Sequence, residues 1–278
     1  MTQASASTTP GLDARPHAVG DTVIELQHVS VRFAVGKSET FTALHDVNLT
    51  IRRGSFVSFI GPSGCGKSTM LNLISGLLPA SEGRVLYDGE EVKEVNPRTG
   101  YITQRDLLLP WRTLEKNVSL ALELRNVPAK ERREQVDQML ERVGLKGFEK
   151  SYPAQLSGGM RKRAGLARTL IYRPQTLLMD EPFAAVDAIL RVSLHEMLMQ
   201  LWEREKITVL FVTHDLEEAL LLSDQVIVFG TKPGRILHLE DVPFKRPRDL
   251  VASRSEVEFG KTWSRLWNFM GQGQGHVA

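Results

Sequence analysis

The sequence predicts an α/β fold: a mostly parallel sheet, an antiparallel β layer ahead of it, and a helical subdomain interrupting it. Three observations carry this. A glycine-rich loop, Gly61-Pro62-Ser63-Gly64-Cys65-Gly66-Lys67-Ser68-Thr69, stands between a short apolar run at 55–60 and an apolar helical run at 70–77. Strand-like and helix-like runs alternate again from 176 to 229, as parallel strands joined by crossover helices do. Between these halves, 113–170 carries helical periodicity.

Taken in order, residues 1–20 are rich in Ser, Thr, Ala and Pro and lack an apolar signal-peptide core, so a mobile tail is expected. From about Asp21, Val29, Val31 and Phe33 alternate with His28, Ser30 and Arg32, as in a half-buried strand. A turn around Gly36-Lys37-Ser38 leads to a second extended segment, 44–51, completing an antiparallel layer. After the loop and its helix, 83–89 reads as a strand ending in an Asp88-Gly89 turn.

Leu114, Val118, Ala121, Leu122 and Leu124 keep helical spacing until Pro128; 131–143 is a charged amphipathic helix stopping at Gly144. A third helix begins near Ser157-Gly158-Gly159 and ends before Pro174. The strand 176–179 then delivers Asp180-Glu181, a helix spans 188–204, and the strand 207–212 delivers Thr213-His214-Asp215. A short helix and the strand 225–229 follow. From Ser255 a capping-box pattern with Glu258 opens a helix with Phe259, Trp263, Leu266, Trp267 and Met270 on one face. That face either packs on the core or contacts a membrane surface or subunit. The expected division is a tail at 1–20, a main α/β domain at 21–240 with its helical subdomain at about 105–170, and an extension at 241–278.

Composition excludes several classes. Apolar residues are 42% and charged residues 24% of 278, ordinary values for a soluble globular protein. Lys and Arg total 35 against 33 acids, without the basic excess of a nucleic-acid binder. The one cysteine, Cys65, excludes an internal disulfide and suits a reducing compartment. It is either a small loop residue or a thiol activated by the helix N-terminus and Lys67; partial protection from maleimide by the loop's ligand is expected. No apolar stretch approaches the ~20 residues of a membrane helix, so membrane contact is expected only through a partner.

The loop matches G-x-x-x-x-G-K-[ST] in the strand–loop–helix context that motif requires. Its glycines let backbone N–H groups approach phosphate oxygens, and the helix directs the positive end of its dipole at the same anion. Lys67 can reach the β- and γ-phosphates, and the Ser68 hydroxyl can ligate Mg²⁺. Lys67, Asp180, Glu181 and His214 all fall just past strand ends, where open parallel sheets gather their ligands.

Leu156-Ser157-Gly158-Gly159-Met160 resembles the ABC signature Leu-Ser-Gly-Gly-Gln, with Met fifth. With the loop, it makes 23–237 resemble the ATP-binding subunit of an ABC transporter, which implies a P-loop NTPase core of ABC ATPase type. The resemblance implies ATP and Mg²⁺ as cofactors. It places Asp180 on Mg²⁺, Glu181 as general base, Gln104 as a sensor of Mg²⁺ and the γ-phosphate, and His214 between the γ-phosphate and Glu181. Phe33 stands where an aromatic stacks on adenine; read alone, it is more often a core residue. Ala184-Ala185-Val186-Asp187 looks like the loop crossing the dimer interface.

Ser157, Gly158 and Gly159 would face ATP on a second copy, giving a head-to-tail dimer. Met160, Lys232-Pro233-Gly234-Arg235-Ile236 and Lys245-Arg246-Pro247-Arg248 resemble the nitrate, sulfonate and taurine importers. Relatives of that group resemble carriers of bicarbonate, pyrimidines or aromatic acids, and a non-transport ABC ATPase is a further alternative. The implied partners are a membrane permease and, through it, an extracytoplasmic solute-binding protein, with the chain peripheral on the cytoplasmic face of the cell membrane. Leu107-Leu108-Leu109-Pro110-Trp111 is either core or a surface for a permease helix.

Overall fold

The computed structural model describes residues 21–36, 39–105, 107–184, 186–246, 248–249 and 252–273. The expected tail, Lys37, Ser38, Ala185 and Pro247 lie outside them.

β1 (Thr22–Val35) and β2 (Glu39–Arg52) form an antiparallel hairpin in which Phe33 faces Phe41. β3 (Phe56–Ile60) leads through the glycine loop into α1 (Lys67–Ile74). β4 (Glu82–Tyr87) and β5 (Glu90–Glu91) complete the first sheet, in the order β2-β1-β4-β5.

β6 (Thr99–Ile102) precedes the helical insert of α2 (Leu114–Leu124), α3 (Ala129–Arg142) and α4 (Gly158–Leu170). β7 (Thr176–Asp180), α5 (Ala188–Glu205), β8 (Thr208–Val212), α6 (Leu216–Leu222) and β9 (Gln225–Gly230) follow. β10 (Arg235–Asp241) and α7 (Val257–Gly273) close the described chain. The second sheet has the order β10-β9-β3-β8-β7-β6 and is parallel except for β10 against β9. All five residues of β3 and of β8 are buried, since both faces of a parallel sheet are covered.

Two apolar clusters result. One lies between the two sheets around α1, with Phe59, Met70, Leu71 and Phe229. The other lies between the parallel sheet and the remaining helices, with Phe56, Phe211, Leu140, Leu194 and Leu220.

Three local expectations change. β6 is a strand the sequence does not announce: it is four residues long and includes Gly100, whose missing Cβ leaves room for Thr169 and Pro174. Past the Lys232-Pro233-Gly234-Arg235-Ile236 stretch the sequence announces no strand, but the chain turns at 231–233 and continues as β10. At the C-terminus the Ser255 hydroxyl donates to the Ala252 carbonyl at 2.6 Å, so Ser255 belongs to the preceding 3₁₀ turn and does not cap α7.

Of the two uses weighed for the α7 face, packing on the core describes Phe259 and the fully buried Leu266, both in the second cluster. Trp267 instead stays 56% exposed, stacked on Trp263. Leu107 and Trp111 are exposed while Leu108 is buried, so the two readings of that stretch divide between its residues.

Candidate active site

The loop after β3 turns sharply because Gly61, Gly64 and Gly66 all adopt positive φ, where a side chain is strained. Space forbids one as well at two of them: a Cβ on Gly61 would lie 2.5 Å from the Phe229 carbonyl, and one on Gly66 2.5 Å from Leu44 Cδ2. α1 then starts at Lys67 with no side-chain cap and no acidic residue in its first turn. Its N-terminal N–H groups and dipole therefore face whatever lies in the loop. Lys67 is buried, and its ammonium donates to the carbonyls of Gly61 and Pro62, both at 2.9 Å.

At the end of β7 the Ser68 hydroxyl is hydrogen-bonded to Asp180. Burial pushes the Asp180 carboxyl above its ordinary value against the pull of that bond, and the neighbouring Glu181 charge adds to the rise. Glu181 sits at φ 45°, a left-handed backbone costing a non-glycine residue about 1–3 kcal/mol. Its N–H donates to Val212 at 3.0 Å, pinning the turn to β8. The strain aims the carboxylate at two groups from other strand ends: Gln104 Nε2, past β6, at 3.5 Å, and His214 Nδ1, past β8, at 3.7 Å. Lys162 of α4 holds the Gln104 carbonyl at 2.7 Å.

Lys67, Ser68, Gln104, Asp180, Glu181 and His214 thus gather at the carboxyl ends of four neighbouring parallel strands. Ser157, Gly158, Gly159 and Asp187 form a second group. Ser157 caps α4 by accepting from Met160 at 3.3 Å, and Asp187 caps α5 by accepting from Leu190 at 3.0 Å. The two helix starts are packed together, since a Cβ on Gly159 would meet Leu190 at 2.5 Å. Among the described residues neither Ser157 nor Asp187 hydrogen-bonds the 61–69 loop. Ser157 and Gly158 are exposed, and α4 has no acid in its first turn.

Phe33 is 39% exposed, so it is not core; its ring shares a sheet face with the exposed Phe41, which the sequence did not single out. Cys65 is fully buried, and burial pushes its thiol up against the pull of Lys67, which makes it a small packing residue of the loop. Sequence reading also passed over His195 and Glu218, a buried pair behind His214; each reads as an ordinary polar helix residue, and no local signal distinguishes it.

The ABC transporter family profile matches residues 44–184. An ABC transporter ATP-binding protein of Methanocaldococcus jannaschii, MJ0412, is 46% identical over 82% of this chain and 84% of its own length. The taurine import ATP-binding protein TauB of Rhizobium johnstonii is 42% identical over 81% and 86% of the two chains. The nitrate import ATP-binding protein NrtC of Synechococcus elongatus is 40% identical over 90% of this chain and 38% of its own. Among solved structures, the dimeric post-hydrolysis state of the ATP-binding cassette MJ0796 bound to ADP and Pi superposes with TM-score 0.71 at 33% identity, covering 80% of this chain and all of that one.

Proposed function

The chain belongs to the ABC transporter family, and from that membership we propose that it is the ATP-hydrolysing subunit of an importer for nitrate, an alkanesulfonate or taurine. One observation carries the hydrolytic part: Glu181, on a strained turn, faces Gln104 and His214 beside the Ser68–Asp180 pair. The importer part is supported by the likeness to proteins named for taurine, aliphatic sulfonate and nitrate import.

ATP would lie with its phosphates in the 61–69 loop, held by backbone N–H groups, the α1 N-terminus and Lys67. Its adenine would stack on Phe33, an aromatic face without a polar handle. Ser68 and Asp180 suit a hard divalent cation: both offer oxygen, and the carboxylate is half-buried beside a second acid. They would hold Mg²⁺, with Gln104 adjacent; when bound, the ion supplies neutralisation of phosphate charge. Glu181 would accept a proton from the attacking water as general base. His214 would orient that carboxylate and contact the γ-phosphate.

A second copy would complete the site. The start of α4, with Ser157 and Gly158 exposed and Gly159 buried behind them, fits a γ-phosphate held by another protomer, and Asp187 would lie at the same junction. The dimeric form of the MJ0796 cassette supports a dimer, and a head-to-tail arrangement would bring each α4 start to the other copy's loop. Among the described residues no helix is long and apolar enough to cross a membrane. In this reading the chain works as a peripheral protein on a permease at the cytoplasmic face, the solute being delivered by an extracytoplasmic binding protein.

The test is Glu181→Gln: ATP binds and drives dimer formation while turnover falls by roughly 10²–10⁴-fold. Turnover at the wild-type rate would remove Glu181 from its role.

A further inference from the structure

We infer that His195, acting through Glu218 and Thr213, is a positioning residue that holds His214 and Glu181 in register, an assignment that rests on the ATPase reading above. His195 lies on α5 and is 4% exposed; its Nε2 is 3.1 Å from Glu218 Oε1. Glu218, on α6, is also buried, and its other oxygen accepts from the Thr213 hydroxyl at 2.5 Å. Thr213 immediately precedes His214. Its N–H donates to the Phe59 carbonyl of β3, and its hydroxyl accepts from the Asp215 N–H at 3.0 Å. The backbone on both sides of His214 is thus held by one threonine, and that threonine by Glu218.

The other side of the His195 ring meets Phe183 edge-on, 5.5 Å between centroids. Phe183 is two residues beyond Glu181 and is itself buried. One turn earlier on α5, Arg191 donates to the Val186 carbonyl at 2.9 Å and lies 3.7 Å from both Glu218 and Asp215. A single cluster, buried at His195, Glu218 and Thr213 and partly exposed at Arg191, therefore touches the segments carrying Glu181 and His214 and the residue before Asp187.

The chemistry assigns the proton. Burial pushes the Glu218 carboxyl up, but the hydrogen bonds from His195 and Thr213 and the charge of Arg191 bring it below the ordinary range. An ionised carboxylate only accepts, so His195 must donate from Nε2. A leucine would remove that donor and leave Glu218 short of a partner in a dry site, where the cost is high. A glutamine keeps an N–H donor at similar reach.

The test uses the full-length chain, with turnover measured against ATP concentration in wild type, His195→Leu, His195→Gln and Thr213→Val, plus thermal unfolding of each. His195→Leu should lower kcat by roughly ten- to hundredfold, as misplacement of a reacting group does, with KM for ATP nearly unchanged. His195→Gln should restore most of it. Thr213→Val breaks the same chain from its other end, so the double variant with His195→Leu should be no slower than the worse single. An unchanged kcat in His195→Leu, a loss of equal size in His195→Gln, an effect confined to KM, or additive losses in the double variant would each overturn the assignment. If His195→Leu does not fold, a Thr213→Val variant with wild-type kcat would overturn it alone. A wild-type chain with no ATP turnover would instead remove the ATPase reading and this assignment with it.

Discussion

Gly234 stands against the backbone of Cys65: a Cβ at position 234 would run into the carbonyl oxygens of Cys65 and Ala43. The residue just before β10 therefore braces the 61–69 loop. The brace is stitched to β2, with Gly234 donating to Ala43 at 3.2 Å and His45 donating back to Gly234 at 2.9 Å. Gly234→Ala should destabilise the fold by about 1–3 kcal/mol through overpacking and weaken ATP affinity, although it lies outside the loop. Gly165→Ala, where a Cβ in α4 would meet open space, should be neutral or stabilising by up to about 1 kcal/mol. Urea denaturation and nucleotide titration of both variants decide this.

Asp180 gives a pH-dependent prediction. Its carboxyl titrates above the ordinary value because the folded site disfavours its charge. A group with a raised folded pKa contributes stability below its unfolded pKa and loses it as pH rises through the folded value. At neutral pH the charged form therefore weakens the nucleotide-free fold. Asp180→Asn should unfold at a higher temperature than wild type near pH 7, the gain shrinking toward roughly pH 4, while ATP turnover collapses. A variant less stable than wild type at pH 7 would count against this balance.

The C-terminal segment grips the end of α6. Arg248 donates from Nη1 to the carbonyls of Leu220, Leu221 and Ser223, and from Nη2 to that of Phe244. Burial lowers its pKa to about 10, with the Arg246 charge adding, so it stays protonated at neutral pH. Arg248→Met would strand several carbonyls at a helix end and cost on the order of 3 kcal/mol. Arg248→Lys should recover only part, because an ammonium lacks the planar fork. Chemical denaturation of both variants measures the difference.

Lys67→Ala should weaken ATP binding itself, because its ammonium is the one charged group inside the loop. Cys65, two residues before it, should be slow to react with maleimide both with and without ATP, since its thiol is buried and pushed up. Fast labelling should appear only in denaturant. Fast labelling of the native chain that ATP suppresses would restore the expectation of a reactive thiol.

Legibility in the sequence followed how local each signal was. The loop at 61–69, the carboxylates at 180–181 and His214 each end an apolar run of strand length, so burial pattern and chemistry coincide within ten residues. β6 and β10 escaped because their strand character comes from their partners: β6 pairs with β7 and β10 with β9. The Ser255–Glu258 pattern misled because Ser255 is taken into the 3₁₀ turn at 252–255 and α7 starts two residues later, at Val257. His195 and Glu218 escaped because 23 positions separate them and nothing short-range marks either.

By itself the sequence determined the fold class, the glycine-rich loop at 61–69 and the acids at the next strand end, since backbone geometry, helix N-termini and apolar periodicity act within one strand–loop–helix unit. Only the tertiary structure decided that Gln104 and His214 converge on Glu181, that Gly234 supports the loop, and that a buried histidine stands behind the site. Those relationships join residues far apart in the chain, and they form only when the strands carrying them are packed side by side.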